Sequence, residues 1–122
     1  MRISTTETGR SGEKLAEKYL TSRGFKIMAR NWRWFKYEID LIAIHEGVVV
    51  FIEVKTRSSR AIDEGAEIKL PQRRRIIRAA SAYLAMNVKG NLSCRFDLIR
   101  VRKSKGDWWI DHVQDAFEGA SA

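Results

Sequence analysis

Two strand-like runs joined by a tight turn constrain this chain more than any other feature. Residues 38–44 read EIDLIAI and residues 48–56 read VVVFIEVKT, with His45-Glu46-Gly47 between them. If Glu46-Gly47 is a two-residue hairpin turn, His45 pairs with Val48. Asp40 then falls opposite Glu53, and Glu38 opposite Lys55. Side chains alternate faces along a strand, so these four are expected on one face. The remaining positions are apolar on both sides: Ile39, Leu41 and Ala43 on one, Ile42, Ile44, Val49 and Phe51 on the other. A strand buried on two sides needs a covering layer on each. The expectation is therefore an α/β fold, a mixed sheet flanked by two main helices.

The helices are legible on either side of that hairpin. Ser11 is placed to cap a helix from about Gly12 to Arg23, with Gly24 at its end and Phe25 folding back as the hydrophobic contact. Phe25 to Arg30 reads as a strand, and Asn31 to Tyr37 mixes aromatic and basic residues. Residues 57–70 lack periodicity and read as a loop of functional length. Pro71 suits the first position of a second helix reaching about Met86, with Ile76, Ile77, Ala80, Tyr83 and Leu84 on its apolar stripe. Strands are expected over 94–102 and 108–113. The organisation predicted is a flexible segment over 1–10, one domain over 11–115 and a flexible tail over 116–122. Trp108 and Trp109 cannot both face inward from one strand.

Charge narrows the partner. The 122 residues carry a formal net charge of +8, which favours a polyanionic partner such as nucleic acid. A single cysteine, Cys94, excludes an internal disulfide and suits a reducing compartment. No apolar run approaches membrane-spanning length, so a cytoplasmic protein with no membrane partner is expected.

The chemistry concentrates on the hairpin. Opposed carboxylates inside apolar strands repel each other and resist desolvation, an arrangement that calls for a cation between them. Mg2+ or Mn2+ suits an all-oxygen site, keeps several waters and lowers the pKa of one of them. Lys55 beside such a water can orient it or stabilise charge on a phosphate. The plain alternative is an exposed edge hairpin in which Glu53 and Lys55 pair with Lys36 and Glu38. Glu13 lies in a helix's first turn, where the helix dipole alone favours an acid. Arg73, Arg74, Arg75 and Arg78 crowd the start of the second helix, against its dipole, and with Gln72, Arg57 and Arg60 they are candidates for phosphate contacts; a merely solvated basic face is the alternative. Asp97 is assigned a structural pairing with Arg95 or Arg100, Trp32 and Trp34 a packing role, and His45 a place in the turn.

Taken in order, several segments resemble one family. They are Gly12-Glu13 with Ala16, Leu20 and Gly24; Arg30-Asn31-Trp32-Arg33; Glu38-Ile39-Asp40-Leu41-Ile42; Phe51-Ile52-Glu53-Val54-Lys55-Thr56-Arg57; Gln72-Arg73-Arg74 with Ala79-Ala80 and Tyr83-Leu84; and Arg95-Phe96-Asp97. The chain resembles the YraN-like family of small bacterial proteins, similar to Holliday-junction resolvases and the PD-(D/E)XK nucleases. The resemblance implies a restriction-endonuclease-like fold and a metal-dependent endonuclease acting on DNA, including branched DNA. It implies metal ligands at Glu13, Asp40, Glu53 and the Val54 carbonyl, with Lys55, Glu53 and Asp40 catalytic, and it implies a homodimer. Tyr37 stands where the family usually has glycine, and Pro71 where it commonly has lysine. The competing expectation is a nuclease fold that binds nucleic acid without cutting it.

Overall fold

A computed structural model describes residues 2–3, 12–58 and 68–119. The elements are β1 (Arg2–Ile3), α1 (Gly12–Ser22), β2 (Lys26–Trp34), β3 (Tyr37–His45), β4 (Val48–Ser58), α2 (Leu70–Asn87), β5 (Cys94–Ser104) and β6 (Asp107–Phe117). They build a six-stranded sheet in the order β1-β6-β5-β4-β3-β2. Every neighbouring pair is antiparallel except β4 with β5, which run parallel. A parallel pair needs a crossover, and α2 lies within that connection. The result is an α/β mixed sheet flanked by two main helices, compatible with a restriction-endonuclease-like fold.

The helices divide the core into two layers. Leu15, Ala16, Tyr19 and Leu20 of α1 pack with Leu41, Ala43, Val50, Ile52, Ile99 and Val101. Ile76, Ala79, Ala80 and Tyr83 of α2 pack with Ile42, Val49, Phe51, Phe96 and Leu98. α1 ends as its sequence indicates. Gly24 adopts φ +88°, and the Phe25 N–H donates to Leu20 O at 3.0 Å while its ring is buried.

The central hairpin has the expected register, His45↔Val48 through Leu41↔Ile52. Its turn residues Glu46 and Gly47 both have positive φ, 51° and 79°, as a type I′ turn demands. His45 is the last residue of β3 and stacks on Phe25 with centroids 3.9 Å apart.

Several boundaries differ from expectation for identifiable reasons. β2 continues to Trp34, because Trp32 and Trp34 both pack into the α2 layer; Trp32 meets Tyr83 edge-on at 5.3 Å. The packing reading of both tryptophans holds. β4 runs on to Ser58 because β5 pairs with it over the whole stretch from Val49. β6 passes the expected boundary at 115, and Phe117 is buried and stacked on Phe96 at 4.8 Å. Within the segment 1–10, Arg2 and Ile3 pair with Trp109 and Trp108. Trp108 packs partly buried against the α1 layer, while Trp109 is exposed. Ser11, Arg60 and most of the loop expected over 57–70 lie outside the described residues. No helix among the described residues is long and apolar enough to cross a membrane.

One face assignment is overturned. Ile39 joins the α2 layer with Ile42, not the α1 layer with Leu41 and Ala43. The alternation resets at Asp40, where the β2–β3 ladder skips the Asn31–Asp40 position and Asn31 adopts φ +48°. That irregularity is where the site forms.

Candidate active site

Past Leu41↔Ile52, β3 and β4 have no further ladder partners in each other. β3 continues beside β2, with Ile39↔Trp32 and Glu38↔Arg33. β4 continues beside β5, with Glu53↔Leu98 and Lys55↔Arg100. The sheet therefore parts between two central strands. A backbone N–H left without a ladder partner needs another acceptor. The Val54 N–H finds one in Asp40 Oδ2, at 2.8 Å. This bond draws the Asp40 carboxylate into the gap. Asp40 and Glu53 are thus not ladder partners, as the extended register predicts, yet their carboxyl groups meet within hydrogen-bonding reach.

Glu53 and Lys55 are held by one amide. Gln72, in the first turn of α2, donates through Nε2 to Glu53 Oε1 at 2.8 Å. Its Oε1 accepts from Lys55 Nζ at 3.2 Å. An amide offers both a donor and an acceptor, so Gln72 fixes an acid and a cation together. Glu38 does not face Lys55; it pairs with Arg33 Nη2 at 3.3 Å. Neither Glu53 nor Lys55 forms the Lys36 or Glu38 pairing of the edge-hairpin alternative.

Glu13 reaches the same gap from α1. A Cβ on Gly12 would lie 1.8 Å from Thr56 Oγ1 and 3.0 Å from Thr56 Cβ. The absence of a side chain at Gly12 lets the first turn of α1 sit directly on β4, with Glu13 beside Asp40. Asn31 ties this corner together. With its amide turned to suit its neighbours, its nitrogen donates to Glu13 Oε1 at 3.0 Å and Glu38 Oε1 at 3.1 Å.

The electrostatics follow from three acids converging on few donors. Burial, then the neighbouring Asp40 charge, push the Glu53 carboxyl up to about 8, against a smaller opposing pull from Lys55. Burial and Asp40 also raise Glu13. Asp40 is raised by burial, opposed by the Val54 N–H. The three carboxyls interact, Asp40 lying between Glu13 and Glu53 and raising both. The acids form a chain rather than a closed cage. Among the described residues, no group of three or more His, Cys, Asp and Glu side chains is disposed to hold a metal ion.

A Mg2+- or Mn2+-type ion nonetheless suits this donor set. Mg2+ is commonly held by one or two carboxylates with its remaining positions taken by water and substrate oxygens. Asp40 and Glu53 would supply two oxygen ligands, with Glu13 adjacent. A cation would also relieve the repulsion from Asp40 that, with burial, raises the glutamates. Val54 lies in the gap through its N–H bond to Asp40. The acids open onto a cavity of about 260 Å³ lined by Lys36, Tyr37, Glu38, Asp40, Glu53, Gln72, Arg75 and Ile76.

The basic residues of α2 do not act as one surface. Arg75 lines the cavity, and Arg78 Nη1 donates to the Tyr37 hydroxyl at 3.2 Å. Arg74 is exposed. Arg73 turns away: its Nε donates to the Ile68 carbonyl and its guanidinium lies 5.5 Å from the Phe117 ring centroid. It thus has a structural role at Ile68 and Phe117. Arg57 bonds the Thr56 carbonyl at 3.0 Å. Gln72, expected among the phosphate contacts, instead organises Glu53 and Lys55. Asn31 was not singled out as a site residue; its only sequence signal is its place in the Arg30-Asn31-Trp32-Arg33 segment.

The molecule is thus an α/β protein with three acids, a lysine and a glutamine gathered where its sheet parts. Residues 12–101 match the family described as "Uncharacterised protein family UPF0102", and the chain belongs to that family. A UPF0102 protein of Chlorobaculum parvum is 42% identical over 89% of this chain and 90% of its own length. One from Bacteroides thetaiotaomicron is 39% identical over 91% and 92%, and one from a Synechococcus strain is 39% identical over 96% and 94%. The family resemblance carried by the motifs is confirmed.

Proposed function

We propose that this protein is a metal-dependent endonuclease that hydrolyses phosphodiester bonds in DNA, branched DNA included. The observation that supports it best is Gln72 holding Glu53 and Lys55 together beside Asp40 at the parting of the sheet. A divalent ion bound there supplies an activated water and charge stabilisation at the phosphate. Asp40 and Glu53 would be its ligands, with Glu13 completing the acidic cluster and the Val54 carbonyl adjoining it. Asp40 is preset by the Val54 N–H. Lys55, steadied by Gln72, presents a fixed positive charge to the attacked phosphate and orients the attacking water. Arg75 and Lys36 at the rim, with Arg74, Arg78 and Arg57 farther out, would engage the backbone and make binding steeply salt-dependent.

The test is cleavage of fork, four-way, single-stranded and duplex DNA, with RNA counterparts, in Mg2+ and Mn2+. Wild type should cleave at least one DNA form only with metal. Lys55→Ala should lower the rate about 100-fold or more, and Gln72→Ala about tenfold by releasing both side chains. Equal cleavage by wild type and Lys55→Ala would overturn the mechanism.

A second reading is a nucleic-acid-binding module on a nuclease fold that cuts nothing. It is favoured by the chain-like disposition of the acids, which among the described residues do not form a closed set of three or more metal-ligating side chains. Calorimetric titration with Mn2+ separates the two. Heat present in wild type and lost in Asp40→Asn supports the enzyme; no heat in either supports the module.

A further inference from the structure

We infer that Phe35, at the tip of the β2–β3 hairpin, is a wedge that stacks on an exposed base face at a break in a nucleic-acid duplex. The inference rests on the nucleic-acid reading above and deepens it by naming the structural class of substrate.

Three observations converge on this residue. Its side chain is the most exposed large hydrophobic among the described residues, at 82%. Trp34 behind it is anchored in the α2 layer and meets its ring edge-on at 4.7 Å. The ring therefore has a rigid base and a free face. Its backbone is also held at φ +55°, where a bulky L residue is disfavoured. The other two tight hairpins solve the same problem differently. Glu46-Gly47 and Lys105-Gly106 both put glycine second, with both φ values positive. In Phe35-Lys36, where Trp34 pairs directly with Tyr37, only Phe35 has positive φ and neither residue is glycine. Folding alone would favour glycine or asparagine here. An exposed aromatic in a strained turn is a cost that function, not stability, explains.

The surroundings identify the occupant. Phe35 is followed by Lys36 and Tyr37, both of which line the acid cavity. Arg33, two residues before it, has a side chain 72% exposed, and Arg75 lies on the same cavity wall. A ring flanked by Arg33, Lys36 and Arg75, at the cationic rim of a cleft whose acids are Glu38, Asp40 and Glu53, matches a polymer with charged backbone and flat apolar bases. Continuous duplex hides those base faces; a fork, junction or unpaired end exposes them.

The experiment uses the full chain carrying Lys55→Ala, so that DNA stays intact, and a forked DNA with 2-aminopurine at the branch nucleotide. Binding should raise the 2-aminopurine fluorescence as the base leaves its stack for the phenyl ring. Adding Phe35→Ala should abolish the rise at saturation and weaken fork binding about tenfold, with duplex affinity unchanged. Phe35→Trp should restore both. Phe35→Asn should lose them while raising the melting temperature, since asparagine tolerates positive φ. An unchanged fluorescence rise and fork preference in Phe35→Ala would overturn the wedge while leaving the nuclease reading intact. Failure of the parent chain to bind any DNA at low salt would overturn both. Self-association that Phe35→Ala abolishes, with no fluorescence change, would overturn it in favour of a protein contact.

Discussion

A buried acid and a half-buried acid cluster lie back to back in this sheet, and the fold treats them in opposite ways. Asp97 pairs across β4–β5 with Ile52, the residue immediately before Glu53. It is 1% exposed, and burial alone would raise its pKa. It is nevertheless held below the ordinary range by His112 Nε2 at 2.7 Å, Arg95 Nε at 3.0 Å and the Asp115 N–H at 3.1 Å. His112 is braced in turn by the Tyr19 hydroxyl, 3.1 Å from Nδ1. Here one carboxylate meets three partners. In the neighbouring cleft, three acids share the Val54 N–H, the Gln72 amide and the Asn31 amide, and Glu53 rises to about 8. The same sheet thus satisfies one acid fully and leaves others short of positive charge. The deficit lies where the sheet parts, the place proposed for an ion; the saturated acid marks a structural joint. The expected Asp97–Arg95 pair is present, and His112 is the larger part of the network.

The contrast makes predictions of opposite sign. The largest effect belongs to Asp97→Ala, which should destabilise the fold by about 3–5 kcal/mol by leaving Arg95 and His112 buried without their partner, measured by urea unfolding at pH 7. Because the folded pKa of Asp97 is lowered, its stabilisation is complete above the unfolded value. It should fade as pH falls through the folded value, so wild type and Asp97→Asn should converge in acid. A constant gap down to low pH would remove the charge argument.

Glu53→Gln should do the reverse. The folded value near 8 exceeds the unfolded value near 4.5, so between those pH values the unfolded chain holds fewer protons. Wild-type stability in EDTA should therefore fall as pH rises from about 4.5 to 8 and level off above. Glu53→Gln should flatten that slope and be more stable at pH 8 by roughly 1–3 kcal/mol, while abolishing cleavage. Equal slopes in the two proteins would mean that Glu53 is not the strained member of the cluster.

The smallest effect is expected at the joint that brings Glu13 to the gap. Gly12→Ala forces a methyl against Thr56. It should cost about 1 kcal/mol in thermal unfolding and reduce metal-dependent cleavage more than that loss of stability explains, because the first turn of α1 must lift from β4. Unchanged cleavage would show that Glu13 is dispensable.

Much of this arrangement was legible in the sequence because local rules govern it. Glu46-Gly47 set the hairpin register, and two-sided apolarity demanded helices on both faces. The spacing of Asp40, Glu53 and Lys55 marked residues that the fold gathers at one place. What escaped was decided at distances the sequence does not encode locally. Ile39 changed layers because Asn31 breaks the β2 ladder, which no alternation pattern reveals. β4 outlasted its expected end because β5, almost forty residues later, pairs with it. Gln72 looked like one of several phosphate contacts, and Arg73 like its companion. Docking of α2 turned one toward Glu53 and Lys55 and the other toward Phe117.

From the residues alone came the acids, the lysine, the turn that aligns them and the family. Tertiary structure decided that the strands part just beyond Leu41 and Ile52, which frees the Val54 N–H to seat Asp40. It also decided which acid receives enough donors. Hydrogen-bond supply in the acid cluster depends on five elements converging, α1, β2, β3, β4 and α2, and only the folded chain brings those together.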